Sequence, residues 1–138
     1  MGRKRHVLVD TEGLVLAVRV TAANVQDRHA APDMLQHARQ HYPHLAKVWV
    51  DGGYKGLLQA WAWHQQQIHL EVVQRLPGQR GFQALPRRWV SERTFAWLGR
   101  YRRLSKDYEA YPDTACAMIY AAMSGLMLNR LVRLREAF

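Results

Sequence analysis

The sequence predicts a mixed α/β fold, and three observations carry that reading. Two β-branched apolar runs near the start are separated by a four-residue turn. Beyond them, short apolar runs alternate with stretches of helical period. No internal repeat or low-complexity tract interrupts the 138 residues, which is one domain's length with room for a modest core.

The elements follow in order. His6–Asp10 is an apolar strand and Leu14–Val20 runs back beside it. Asp10 and Gly13 occupy the first and fourth places of the turn between them, the favoured ends of a type I turn. From Asp27 to about His41 the period becomes helical, with Ala30, Met34, Leu35 and Ala38 on one face, and Pro43 closes it. Val48–Val50 is a short buried strand that ends at Asp51-Gly-Gly-Tyr-Lys-Gly56. Leu57 to about Gln67 suits a helix, and Ile68–Val73 another strand. Pro77 to Pro86 reads as a loop or linker. Trp89 to about Leu104 is a helix with Val90, Trp97, Tyr101 and Leu104 facing inward, and Thr114–Arg135 is the last, apolar at its start and basic at its end. The hairpin is expected to be antiparallel, and the strands joined through helices parallel.

Composition narrows the function. Half the chain is apolar, the formal charge is +9 and the isoelectric point is near 10.3. Such a surplus points to phosphate, with nucleic acid ahead of an anionic membrane. One cysteine, Cys116, rules out an internal disulfide and a cysteine-rich zinc ribbon, and it reads as a buried, inert thiol. The basic start has no apolar signal core behind it, and Ala115–Leu128 is short for a membrane span, so a cytoplasmic protein without a membrane segment is expected.

The charge is local. Arg75, Arg80, Arg87, Arg88, Arg93, Arg100, Arg102, Arg103 and Lys106 stand against the single acid Glu92, a surplus of nine minus one, or +8. Trp89, Phe95, Trp97 and Tyr101 are interleaved with them. A solvated helix face normally mixes both signs, so the excess favours a nucleic-acid backbone, and guanidinium forks suit phosphate oxygens. Arg88, Arg93, Arg100, Arg102, Arg103 and Lys106 are the candidate DNA contacts.

Two carboxylates are candidates for chemistry. Glu92 is either an ion-pair hub among the arginines or a ligand; Ala96 and Gly99, one and two turns on, leave open space beside it. Asp51 ends a buried strand, where open α/β sheets place ligands, and Gly52 and Gly53 allow close approach; a capping Asp is the plainer alternative. A strand-end Asp and a helix Glu beside a phosphate-binding surface suit Mg²⁺, which takes one or two carboxylates plus waters and phosphate oxygens. A two-ion site of the kind that cleaves phosphodiesters usually needs a third carboxylate. Asp10 is explained by its turn. His37 and His41, with His29 and His44 nearby, have a spacing that can bind zinc, but no Glu follows the first His and an ordinary surface helix is the simpler reading. There is no phosphate loop of the Gly-Lys-Ser/Thr kind and no Gly-x-Ser-x-Gly elbow, so nucleotide hydrolysis and acyl transfer have no support.

Four blocks, taken together, carry a resemblance: Gly2–Leu16, Thr21–Arg28, Asp51–Gly56 and Leu85–Leu98, followed by Arg102–Glu109. In order and spacing they resemble the DDE-type transposases of bacterial insertion sequences, over nearly the whole chain. The resemblance implies a ribonuclease-H-like mixed sheet flanked by helices, with residues 1–138 forming part of the catalytic domain. It implies that Asp51 and Glu92 are catalytic and hold Mg²⁺ or Mn²⁺, and that transposon ends and target DNA are the substrates. Arg88, four residues before Glu92, matches the family's signature Arg. The signature's Tyr is Leu85 here, and its Lys falls on Gly99 with Arg100 next to it. The family's first catalytic Asp lies on a strand upstream of the block matching Gly2–Asp10. The expectation is therefore a sheet lacking its first central strand, and a chain that works with an N-terminal transposase segment or fusion, as a possible homo-oligomer. The alternative is a catalytically inactive DNA-binding remnant.

Overall fold

The computed structural model describes residues 2–73 and 88–137. The order is β1 (Arg3–Val9), β2 (Val15–Ala22), α1 (Asp27–His41), β3 (Lys47–Val50), α2 (Leu57–Gln66), β4 (His69–Val72), α3 (Arg88–Gly99) and α4 (Pro112–Ala137), with 3-10 turns at Gly52–Tyr54 and Arg102–Leu104. That is the order of strands and helices the sequence predicts. Pro77–Pro86 lies outside the described residues, as do Arg75, Arg80 and Arg87.

The hairpin forms for the reason its turn suggests. The Asp10 carboxylate accepts hydrogen bonds from the backbone N–H groups of Glu12 and Leu14, both at 2.9 Å. Gly13 adopts φ +85°, open to glycine at no steric cost. β1 and β2 then pair antiparallel from Arg3↔Ala22 to Leu8↔Ala17, with an irregularity between Leu8 and Val9. β3 and β4 pair parallel from Lys47↔His69 to Val50↔Val72, and Lys47 and Glu71 form a cross-strand ion pair. Gln59 ties α2 to this unit, its amide donating to the Leu70 carbonyl at 3.0 Å.

The mixed α/β character expected from the sequence is present, and among the described residues the strands form two separate two-stranded sheets, β1–β2 and β3–β4. Each has its own core. Val15, Val18 and Val20 of β2 pack with Leu98, Leu104, Ala115, Ile119, Ala122 and Met123. Leu35, Val48, Ala62, Ile68 and Leu70 form the second, with Leu8 of β1 half-buried against it. Because strand side chains alternate, Ala17 lies on the hairpin face opposite Val18, where α1 packs, so the hairpin is covered on both faces.

α3 is shorter than the sequence suggests. It ends at Gly99, and Leu104 is buried through a separate 3-10 turn rather than a continuing helix. Its inward residues are Val90, Thr94 and Leu98, whereas Tyr101 is exposed. α4 is longer than expected, at 26 residues, and by length and composition alone it could cross a membrane. Its first half instead buries Ala115, Ile119, Ala122 and Met123 against the hairpin. Cys116 is half-buried there, and burial pushes its thiol pKa up, which suits an inert group.

Candidate active-site slot and basic surface

Between the two sheets lies a cavity of about 780 Å³. Lys4–Thr11 line one wall without a break, Lys47–Asp51 line the other, and α1 and α3 contribute Met34, Leu35, Val90 and Phe95. Asp51 and Glu92 both line this slot.

Asp51 sits where β3 gives way to the 3-10 turn. Its Oδ1 accepts from the Gly53 N–H at 3.0 Å, so the capping role anticipated as the plainer alternative is real. Tyr54, in the same turn, has its hydroxyl pKa raised to about 12, by burial first and then by the charges of Asp27 and Asp51. Asp27 in turn lies 3.5 Å from the Lys4 ammonium and 3.8 Å from the His6 ring. Asp27 thus acts both on the Tyr54 turn and on the start of β1.

Glu92 reaches the slot from α3. Arg93 donates to the Glu12 carbonyl at 2.9 Å, and the buried Thr94 hydroxyl donates to the Gly13 carbonyl at 2.6 Å. These bonds fix α3 at the hairpin turn. Asp51 and Glu92 thus line the same slot, one from the end of β3 and the other from α3. Glu92 is exposed, and a side chain at Gly99, two turns on, would meet nothing within 4 Å, so the open face expected beside it is present.

Among the described residues no three His, Cys, Asp or Glu side chains come together as a metal-holding group. His37 and His41 stack at 4.2 Å between ring centroids.

The basic candidates divide. The guanidinium of Arg93 grips Glu12 and stacks on Trp97 at 4.7 Å, and Arg130 of α4 stacks on that ring at the same distance. Arg93 therefore joins α3 to its neighbours. Arg103 pairs with Glu109 at 2.7 Å, a contact that raises its pKa. Arg100, Arg102 and Lys106 are exposed. The side chain of Arg88 lies outside the described structure.

Two residues that composition did not single out position this surface. Arg5 donates to the carbonyls of Leu104 and Lys106 at 2.7 and 3.1 Å, and Arg3 to those of Glu109 and Ala110 at 2.8 and 2.7 Å. They pin the loop carrying Arg102, Arg103 and Lys106 to the start of β1. Alternating Arg3, Arg5 and Val7 along one strand was the available signal, and only the long-range pairing gives it meaning.

The candidate site thus comprises a parallel strand pair ending in Asp51, a helix carrying Glu92 and a pinned arginine loop. The model of the transposase DDE domain matches residues 1–127, and the chain belongs to that family. Among curated proteins it is similar to the transposase assigned to insertion sequence element IS402 of Burkholderia cepacia, with 30% identity over 139 residues. That similarity covers 96% of this chain but 65% of the relative's length. No solved structure matches.

Proposed function

We propose that this chain is a portion of the catalytic domain of an insertion-sequence transposase, acting in the cytoplasm in metal-dependent cleavage at the element's ends and strand transfer into target DNA. The observation that carries the reading is the family match over residues 1–127, which takes in both Asp51 and Glu92. In this reading the completed domain is ribonuclease-H-like, and Asp51 and Glu92 are its catalytic carboxylates, with Mg²⁺ or Mn²⁺ as the ion. Both line the slot, and they are the residues that would hold the ion. Arg100, Arg102 and Lys106 supply exposed positive charge for phosphate, with Arg88 beside Glu92 in sequence and Arg93 and Arg103 supporting the surface. An N-terminal transposase segment completes the domain, alone or within a homo-oligomer.

Among the described residues no three potential metal ligands come together, which favours one other reading, a catalytically inactive DNA-binding remnant. Cleavage of DNA bearing the element's ends separates the two. The chain alone, the chain preceded by an upstream transposase segment, and that longer protein with Glu92→Gln are compared in Mg²⁺ and Mn²⁺. Cleavage by the longer protein, lost in the Gln variant, is expected. A folded, DNA-binding longer protein that cuts nothing establishes the remnant instead.

A further inference from the structure

The connection between α3 and α4 is held more firmly than a surface loop requires. Arg5 donates to the Leu104 and Lys106 carbonyls and Arg3 to those of Glu109 and Ala110, while Leu104 is buried in the hairpin core. Within the connection the Ser105 hydroxyl donates to the Arg102 carbonyl at 2.8 Å, and the Arg103–Glu109 ion pair clips its two arms together. Connections are ordinarily the least restrained part of a fold, and those set in place by a rigid scaffold are the ones that carry binding residues.

What this scaffold presents to solvent is aromatic and cationic. Tyr108 is 57% exposed and Tyr111 72%, so neither ring serves the core. Arg100, Arg102 and Lys106 stand exposed beside them. The two acids of the same stretch are already engaged, Asp107 by Arg3 at 3.3 Å and Glu109 by Arg103, which leaves the three cations locally unbalanced. Cations alone would suit a duplex, which carries one phosphate charge per roughly 1.7 Å but keeps its bases stacked on one another. Exposed rings among cations suit a single strand, which offers phosphates to the charges and bare base faces to the aromatics.

We propose that Tyr108 and Tyr111, with Arg100, Arg102 and Lys106, form a binding site for an unpaired nucleic-acid strand, the rings stacking on its bases and the cations holding its backbone. The two tyrosines are three residues apart, a reach of at most about 10 Å along the chain, so they receive nearby bases of one strand. Neither Asp51 nor Glu92 takes part. A chain that never cuts DNA therefore still tests the site, and the site's failure leaves the cleavage reading untouched.

Fluorescence anisotropy tests it, with the full chain and three labelled probes of equal length in metal-free buffer: a mixed-sequence single strand, its duplex, and an abasic strand that keeps the phosphates and lacks the bases. The double variant Tyr108→Leu with Tyr111→Leu keeps apolar bulk and loses both ring faces. It is expected to weaken single-strand binding on the order of 100-fold, about 10-fold for each stacked base, and to leave duplex binding and the salt slope unchanged. Tyr108→Phe with Tyr111→Phe keeps the faces and should bind as the parent does. The parent itself should bind the abasic strand about as weakly as the Leu variant binds the natural one, a measurement that needs no substitution to fold. Equal affinity of the parent for the abasic and natural strands overturns the proposal. So does an equal loss on duplex and single strand in the Leu variant, which would make the tyrosines part of a general phosphate surface. Absence of single-strand binding by the folded parent overturns it too, and would leave the exposed rings to a protein partner.

Discussion

Replacing Thr94 by Val removes one hydroxyl and keeps the side chain's shape. That hydroxyl is fully buried and donates to the Gly13 carbonyl at 2.6 Å, much shorter than its 3.1 Å approach to Val90. The Val90 carbonyl has its helical partner in any case, so the loss falls on Gly13, which is itself buried. Leaving a buried acceptor unpaired costs about 1–3 kcal/mol. For a domain of this size about 4 °C accompanies each kcal/mol, so the Thr94→Val melting temperature should fall by roughly 4–12 °C. Thermal melts followed by circular dichroism measure it, and urea melts should show an unchanged slope. Gly13→Ala attacks the same joint from the other side. Its Cβ would stand 2.9 Å from the Thr94 hydroxyl at a backbone φ of +85°, so it should destabilise at least as much. A Thr94→Val protein that melts within about 1 °C of the parent would refute the assignment of this bond as the anchor of α3.

Two further outcomes follow from the same geometry. Arg102→Ala should leave the melting temperature nearly unchanged while making the salt slope of DNA binding shallower by about 0.9 for each phosphate no longer neutralised. Arg93→Ala should instead lower the melting temperature, because it loses Glu12 and Trp97; titrations of DNA binding against salt, beside melts, show whether the two arginines separate in this way. His6 sets an acid limit. Its pKa is lowered from the ordinary 6.5 by burial, partly offset by Asp27 and reinforced by Lys4. The unfolded chain therefore takes up the proton first, and stability present above pH 6.5 is lost as pH falls from there towards the lower folded value. His37 shifts the same way but is largely solvated and weighs little. His6→Gln keeps a partner for Thr21 and should flatten the loss between about pH 7 and pH 5 in melts, and an equally steep loss would show that another group titrates.

Local chemistry made much of this architecture readable. Asp10 and Gly13 specify their turn, and the change from alternating to helical period marks α1 to within a residue. What the sequence could not show depends on distant partners. The run from Trp89 to Leu104 reads as one helix because its apolar spacing continues past Gly99. In the fold, Arg5 holds the Leu104 carbonyl from 99 residues away, and the chain turns to meet it. Arg93 looks like any other phosphate-seeking arginine until Glu12 is seen beside it. Asp51 and Glu92 are legible as candidates from their places on a strand end and a helix. That both line one slot is not, because it depends on how α3 is held at the hairpin turn.

Two small cores, one under the hairpin and one under β3–β4, also bear on how the chain comes apart. Leu8 and the packing of α1 on β2 are the main ties between them, and neither sheet shares a ladder with the other. Cooperativity in unfolding comes from interactions that both units give up together. The hairpin–α4 half and the β3–β4 half are therefore coupled mainly through these ties. The sharpness of the melt therefore reports how strongly the two cores are coupled.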